Sequence, residues 1–175
     1  KMLKSKIDLI VTSGAVSAGK FDFVPSVIKK FKLSDYFKSV LIRPGKPILF
    51  AKIRNKSKAI FGLPGNPISS AACFRFFVYP YIESLLGIPQ ERSFKAVLKN
   101  KFIKKKKFTR FVKSKLSTTK NGKLEVEILK GQESFRIRSF IQSNIWVLLP
   151  SGKEKFKKGE TVDCFFQNQP DKIFS

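Results

Sequence analysis

The chain has 175 residues, 42% of them hydrophobic, which is enough to bury one substantial core or two small ones. It carries 36 Lys and Arg against 12 Asp and Glu, a formal net charge of +24, and it contains no histidine. The absence of histidine excludes Ser-His-Asp triads, histidine general bases and histidine metal ligands.

The positive charge by itself does not assign a partner. Most of the cations are lysines spread along the whole chain, and 19 phenylalanines form a parallel excess. A general drift toward Lys and Phe explains both excesses better than a nucleic-acid surface does, because such surfaces favour Arg and mixed aromatic residues. We interpret the lysine run at 104–107 as a solvated turn, with a docking patch for an acidic partner as the alternative.

The two cysteines, Cys73 and Cys164, lack metal-ligand spacing and are predicted to be reduced thiols in a core. The sequence shows neither a signal peptide nor an apolar stretch long enough to span a bilayer. It therefore predicts a cytoplasmic protein without a membrane partner.

The first half of the chain has an α/β pattern. An apolar run at 8–11 that ends at Thr12 predicts a buried parallel strand. Asp22 can cap a helix in which Val24, Ile28 and Phe31 stand at helical spacing. Further strands are predicted at 39–42, 48–53 and 59–63, with a turn at 55–57.

A long helix is predicted after the fourth strand. Asn66 is its N-cap and Pro67 its first residue, and Gly87 ends it with Pro89 just beyond. Because Pro80 lies inside this helix, we expect a kink or a break there.

Beyond Pro89 the pattern changes to short strands, which predicts a small all-β barrel or sandwich. Asn121-Gly122 is a strong hairpin signal. The predicted domain boundary lies at 88–93. The first domain, 1–88, is a partial α/β domain with a parallel or mixed sheet that we expect to be truncated at its N-terminus, and the second, 93–175, is the β domain. The predicted strands are 94–98, 109–116, 124–129, 145–149 and 161–166.

Three loops punctuated by glycine and proline follow predicted strands, at 12–19, 43–47 and 62–67. Ligands bind preferentially at strand ends of α/β sheets, and backbone N–H groups, helix N-termini and cations there favour phosphates and other oxyanions. In the first loop, Gly14 can adopt a positive φ and direct successive N–H groups at one anion. An ordinary tight turn has the same appearance.

Asp22 is either the N-cap of the helix that follows it or a carboxylate that holds Mg²⁺ beside a phosphate, and the N-cap is the favoured interpretation. In the second loop the two prolines fix the backbone, so that Arg43 and Lys46 form either a placed pair of cations or a solvated basic turn. In the third, Gly65 permits close backbone approach and Ser69 adds a hydroxyl, although simple helix capping explains the same residues.

In this order, and with a β domain behind them, the loops resemble those of the molybdopterin molybdenumtransferase family, which includes MoeA and the C-terminal part of gephyrin. The residues that carry the resemblance are Thr-Ser-Gly-Ala-Val-Ser-Ala-Gly-Lys-Phe-Asp at 12–22, Arg-Pro-Gly-Lys-Pro at 43–47 and Gly-Leu-Pro-Gly-Asn-Pro-Ile-Ser at 62–69. Gly131-Gln132-Glu133-Ser134 and Ser143-Asn144 are weakly similar to the family's C-terminal barrel segment.

The resemblance implies a reaction in which molybdate is inserted into adenylylated molybdopterin with release of AMP, supported by Mg²⁺. It implies that Asp22 is an acidic active-site residue and metal ligand and that Arg43 helps to bind molybdate, with Lys46 as the second fixed cation of that loop. The residues assigned to the pterin-phosphate pocket are Ser13, Gly14, Ser17, Pro64, Gly65 and Asn66, to which Ser69 is added for its hydroxyl.

The chain also departs from the family pattern. Ala15 replaces a usual glycine, and Ser39 stands where a second basic residue is common, with Lys38 beside it. The family enzyme has further domains and forms dimers, so we expect a homodimer of the full-length enzyme and no activity from this chain alone.

Three other functions remain as alternatives. A molybdopterin adenylyltransferase has similar loops but lacks the trailing β domain and the loop at 43–47. A scaffold module of the gephyrin type would show an exposed apolar groove in the β domain. A basic polyanion-binding protein would bind through the lysines at 99–107 with a steep dependence on salt.

Overall fold

The computed structural model describes residues 7–14, 24–54 and 58–167. The strands, numbered along the chain, are β1 (Leu9–Ser13), β2 (Leu33–Phe37), β3 (Ile42–Arg43), β4 (Leu49–Ile53), β5 (Lys58–Leu63), β6 (Phe94–Leu98), β7 (Phe102–Ile103), β8 (Thr109–Thr118), β9 (Leu124–Ile128), β10 (Ile145–Leu149), β11 (Lys155–Phe156) and β12 (Thr161–Phe166). The helices are α1 (Val24–Ile28), α2 (Pro67–Cys73), α3 (Tyr79–Leu85) and α4 (Ile137–Ile141), and a π-helical segment, Phe74–Val78, stands between α2 and α3.

The chain divides into two compact units. The α/β unit comprises the chain up to Val40 and Gly45–Val78, and the barrel unit comprises Leu41–Pro44 and the chain from Tyr79 onward. The four residues Leu41–Pro44 therefore leave the α/β unit in mid-sequence and join the barrel unit. The domain boundary predicted at 88–93 lies further along the chain and stays a prediction.

The α/β unit is built on a four-stranded sheet of order β1-β5-β4-β2. Strand β1 runs parallel to β5, whereas β4 is antiparallel to both β5 and β2. Every residue of β5 after Lys58 is buried, as expected for an apolar strand covered on both faces. The core beside α1 consists of Ile28, Leu49, Ala51, Ile53 and Ile60.

Two strand predictions in this unit were wrong in part. The parallel strand at 8–11 is confirmed as β1, but it is not buried, since the side chain of Val11 is 40% exposed. The strand predicted at 39–42 is found only at its last residue, where β3 begins at Ile42; β2 lies earlier, at Leu33–Phe37, and between them Val40 donates its backbone N–H to the carbonyl of Lys46. Strand β2 lies at an edge of the sheet with Ser34, Asp35 and Tyr36 exposed, so its sequence lacks a strand-like apolar pattern. The turn predicted at 55–57 lies outside the described residues.

The helical signals after β5 are confirmed. Asn66 caps α2, Pro67 is its first residue, and Gly87 follows α3 with a φ of +69°. The predicted interruption near Pro80 takes the form of the π-helical segment that ends at Val78. Proline has no N–H to donate, and a π turn is one way in which a helix accommodates the missing hydrogen bond.

The barrel unit contains a six-stranded sheet of order β10-β12-β6-β9-β8-β3, in which an additional pairing of β10 with β8 closes a small barrel. Strand β3 adds to β8 in parallel outside the closed circuit. The Asn121-Gly122 hairpin is confirmed between antiparallel β8 and β9, with Gly122 at a φ of +74°. The core is lined mainly by Ala96, Leu98, Val112, Val126, Ile128, Ile145, Val147, Leu149, Phe156 and Val162.

Both cysteines are free and buried, as predicted, and burial raises the pKa of the Cys73 and Cys164 thiols to about 12. They are therefore protonated and unreactive at neutral pH. Among the described residues, every helix is too short or too polar to cross a bilayer.

The barrel core makes a prediction about stability. Leu98 is 1% exposed, so Leu98→Ala is expected to lower the free energy of unfolding by about 3 kcal/mol through lost burial and a residual cavity. The matched control, Leu86→Ala, changes a side chain of the same unit that is 67% exposed, and its effect should stay within about 0.5 kcal/mol. Urea unfolding followed by the fluorescence of Trp146 measures both, and equal losses would contradict the assigned core.

Candidate functional site

The strand register of the α/β unit brings several loop ends to one edge of its sheet. Ser13 at the end of β1 pairs with Leu63 at the end of β5, and Leu49 at the start of β4 pairs with Gly62. The end of β2 reaches the same edge, because Phe37 pairs with Phe50. With strands about 4.8 Å apart, this loop edge is roughly 15 Å wide. It joins residues that are far apart in the sequence.

Two predicted glycines meet at this loop edge. The backbone N–H of Gly14 donates to the carbonyl of Leu63 over 3.0 Å, which extends the β1–β5 pairing by one residue. Gly14 has a φ of +76°, a conformation that disfavours any side chain. A Cβ atom built on Gly65 would lie 3.7 Å from the Cα of Gly14, an ordinary van der Waals distance.

The backbone conformation at position 65 and its contacts with the described residues do not require a glycine there. The φ of Gly65 is not positive, its surface is exposed, and Gly14 supplies the nearest atom that an added methyl group would meet among the described residues. The backbone at Gly65 therefore stays open to close approach from outside.

The third loop is held rigidly by its own helix. The side-chain Oδ1 of Asn66 accepts from the backbone N–H of Ser69 over 3.4 Å, which is the capping hydrogen bond expected from the sequence. The Ser70 hydroxyl donates to the carbonyl of buried Pro64 over 2.5 Å. Ser69 is only 7% exposed, so its hydroxyl is largely shielded from solvent. Ser69 contributes to this loop through the backbone N–H that donates to Asn66.

The second loop is fixed to the α/β unit through its backbone. The Cys73 thiol at the end of α2 donates to the carbonyl of Gly45 over 3.4 Å, and the N–H of Val40 donates to the carbonyl of Lys46 over 3.1 Å. Gly45 is buried with a φ of +101°, whereas Lys46 is exposed. The side chain of Lys46 therefore extends into solvent from a fixed backbone position three residues before β4.

Arg43 belongs to the barrel unit, although only two residues separate it from Lys46. It pairs with Arg110 in the parallel β3–β8 ladder, and its guanidinium lies 4.5 Å from the centre of the Phe108 ring. This cation–π contact keeps the exposed guanidinium over the ring face. The two predicted cations are therefore supported by different units.

Two predicted site residues, Ser17 and Asp22, lie outside the described residues. Within residues 7–14, 24–54 and 58–167, no group of three or more Cys, Asp or Glu side chains could hold a metal ion.

The barrel holds a buried cation that the sequence reasoning missed. Lys113 is 1% exposed, and its ammonium donates to the carbonyls of Gly131, Glu133 and Arg136 at 2.7, 3.1 and 3.2 Å. Burial lowers the pKa of this lysine, and the nearby Glu133 opposes the shift. The only signal in the sequence was a lysine placed directly after the apolar pair Phe111-Val112 in a strand.

Neighbouring side chains secure the same loop. Gln132 accepts from the backbone N–H of Lys113 over 3.0 Å and donates to the Lys113 carbonyl over 2.7 Å. The Ser139 hydroxyl donates to the carbonyl of Gly131 over 2.6 Å. The Gly131–Ser134 segment, identified from the sequence only by similarity, is therefore a loop organised around one ammonium group.

The two glycines of the loop edge differ in their expected effect on stability. Gly14→Ala should lower the free energy of unfolding by about 1–2 kcal/mol, because alanine is strained at a positive φ. Gly65→Ala should stay within about 0.5 kcal/mol of the unchanged protein, because its Cβ meets only an ordinary contact. Thermal unfolding followed by circular dichroism compares them, and a large loss for Gly65→Ala would show that its glycine is structural.

The buried lysine makes a second prediction. Lys113→Met removes a charged donor from three carbonyl groups and should lower the free energy of unfolding by about 2–3 kcal/mol. Lys115→Met, on the same strand but exposed, is the control and should have almost no effect. Urea unfolding measured by Trp146 fluorescence separates the two, and equal values would rule out an organising role for Lys113.

Two family models match the chain in succession. Residues 1–84 match the one described as "Probable molybdopterin binding domain", and residues 95–165 match the one described as "MoeA C-terminal region (domain IV)". The boundary between the two matches falls after α3, and the second match corresponds to most of the barrel strands.

Curated relatives and solved structures agree with these models. A molybdopterin molybdenumtransferase of Staphylococcus aureus (strain COL) is 34% identical over 166 residues, a match that covers 93% of this chain and 39% of the relative. That of Bacillus subtilis (strain 168) is 34% identical over 164 residues, covering 93% of this chain and 37% of the relative. The crystal structure of a molybdopterin biosynthesis MoeA protein from Pyrococcus horikosii is 28% identical with a TM-score of 0.66, covering 92% of this chain and 37% of that chain.

The chain thus spans about two-fifths of the length of the curated relatives that it matches. An α/β sheet followed along the chain by a small closed barrel is the domain order that both family models and the MoeA structure indicate. The resemblance first recognised from the three loops is therefore confirmed, and the chain belongs to the molybdopterin molybdenumtransferase (MoeA) family.

Proposed function

We propose that this chain forms the anion-binding part of a molybdopterin molybdenumtransferase, which inserts molybdate into adenylylated molybdopterin and releases AMP. Membership of the family supports a role in molybdenum cofactor biosynthesis. The assignment of the substrates to particular residues is our proposal.

The observation that carries the proposal is the open backbone at Gly65 on the loop edge. Both the substrate phosphates and molybdate are oxyanions, and loops at strand ends bind such groups through backbone N–H donors. Gly65 keeps the surface free of a side chain, while Asn66 and Ser70 fix the loop that contains it. The described residues therefore leave the main chain at Gly65 accessible to a phosphate.

Lys46 is proposed to supply positive charge at the loop edge, and the family resemblance is the basis for proposing Arg43 as a molybdate-binding residue. The backbone at Lys46 is fixed by the hydrogen bond from Val40 to its carbonyl and by the bond from Cys73 to the carbonyl of Gly45, and the guanidinium of Arg43 is held over Phe108. Fixed cations stabilise an oxyanion more than mobile ones, because less conformational freedom is lost on binding. The charge stabilisation needs no histidine, in agreement with the composition.

The remaining assignments follow from the family resemblance. Asp22 is proposed to hold Mg²⁺, which would neutralise phosphate charge in the bound substrate, and Ser13, Gly14, Ser17, Pro64 and Ser69 are proposed to line the pterin-phosphate pocket. Assembly of the full-length enzyme as a homodimer and a cytoplasmic location are proposals of the same kind.

The test measures molybdate-dependent release of AMP from adenylylated molybdopterin by the full-length protein that contains this chain. Lys46→Gln and Gly65→Ala should each lower kcat/KM about 10- to 100-fold, the first by removing a charged donor and the second by filling the space beside the backbone. Lys52→Gln is the matched control, because this lysine is exposed on β4, the strand that follows Lys46, within the sheet and away from the loop edge.

Unfolding curves accompany each variant, so that loss of activity is separated from loss of structure. The proposal is wrong if Gly65→Ala and Lys46→Gln retain full activity, or if Lys52→Gln is impaired to the same degree. The same assay on the 175-residue chain alone tests the sequence-based prediction that it is inactive by itself.

A further inference from the structure

One surface of the barrel unit combines dense positive charge with an exposed aliphatic side chain. Strands β7 and β11 form a separate two-stranded antiparallel ladder in which Ile103 pairs with Lys155 and Phe102 pairs with Phe156. Two further backbone hydrogen bonds extend it, from Lys104 N–H to Glu154 and from Gly152 N–H to Lys106, both 2.9 Å long.

The alternation of side chains gives this ladder two different faces. Phe156 is buried in the barrel core, and Phe102 packs against that core beside it. Ile103, 61% exposed, and Lys155 point the other way. The exposed lysines at outward positions form, with Ile103, a set that we call the lysine face: Lys101, Ile103, Lys105, Lys155 and Lys157.

Lys104 shows that the lysine run at 104–107 is not simply a solvated turn. It is 3% exposed, and its ammonium donates to the carbonyl of Phe108 over 2.7 Å, which closes the turn. Lys105, Lys106 and Lys107 are exposed. One lysine of the run thus fixes the turn, and the other three present their charge to solvent.

The charge of the lysine face is little neutralised within the described part of the chain. Lys101, Lys105 and Lys155 make no ion pair there, and Lys157 contacts Glu160 only through its backbone N–H, which donates to the carboxylate over 3.1 Å. Alternate residues of a strand lie about 7 Å apart and neighbouring strands about 5 Å apart. These distances are shorter than the screening length of about 8 Å at physiological salt, so the potentials add.

We propose that the lysine face is a docking surface for an acidic protein segment that places an aliphatic side chain against Ile103. The evidence for an acidic partner is charge complementarity, since the surface carries four exposed lysines around Ile103 on a chain of net charge +24. That net charge also opposes association with a second copy of this chain through the same face.

A protein segment fits this surface better than a nucleic acid does. The apolar side chain on the outward face is an isoleucine, whereas single-stranded nucleic acids bind by stacking their bases on exposed aromatic rings. Both phenylalanines of the ladder face the core. All of the cations are lysines, which lack the planar, bidentate donors of arginine.

The experiment uses a fluorescein-labelled peptide of four Glu-Glu-Leu repeats and measures its binding by fluorescence anisotropy. A variant with Lys101, Lys105, Lys155 and Lys157 changed to Gln should bind about tenfold more weakly. Ile103→Ser should weaken binding of this peptide roughly fivefold but leave a peptide of twelve glutamates unaffected, because only the first offers leucine.

The matched control changes Lys115, Lys120, Lys123 and Lys130 to Gln. These four lysines are also exposed in the barrel unit, so the variant has the same net charge with the lysine face intact, and it should bind the peptide normally. Far-ultraviolet circular dichroism confirms that each variant is folded.

Three results would overturn the proposal. Equal weakening by the control variant would show that only net charge matters. An unchanged affinity of Ile103→Ser would remove the aliphatic contact. Tighter binding of a twelve-nucleotide single-stranded DNA than of the peptide, lost in the same four-lysine variant, would identify a nucleic-acid surface instead.

Discussion

The position of β5 is the constraint on which the candidate site depends. This strand is buried along nearly its whole length and is paired in parallel with β1 and antiparallel with β4. A shift of β4 against β5 by one residue would turn the buried side chains of Leu49, Ala51 and Ile53 to the opposite face, so the hydrophobic effect fixes the register of this pairing. The ends of the flanking strands are therefore held at one edge of the sheet.

Much of this arrangement was predictable from local signals. Proline and glycine have specific backbone requirements, so Asn66-Pro67 and Gly87 marked the start and end of the helical region, and Asn121-Gly122 marked a hairpin. The buried strands were predictable because their apolar runs are continuous. The three loops identified the family because their order and residue types are specific together.

The remainder depended on contacts that local patterns do not record. Strand β2 was misplaced because an edge strand with both faces exposed has no apolar periodicity. The organising role of Lys113 was invisible because its three acceptors are backbone carbonyls some twenty residues later, and any sequence supplies carbonyls. That Arg43 and Lys46 belong to different units was also not predictable from local patterns, because β3 pairs with a strand far along the chain.

The turn at Lys104 affects where a protease can cleave this basic chain. Trypsin cleaves after lysine, and four consecutive lysines would ordinarily be among the first sites cut. Cleavage requires the lysine side chain to enter the protease and the backbone around it to become extended. The side chain of Lys104 is unavailable while its ammonium donates to the carbonyl of Phe108, and its backbone is held in the ladder by the hydrogen bond from its N–H to the carbonyl of Glu154. The bond that follows it is therefore protected until the turn opens, despite the length of the run.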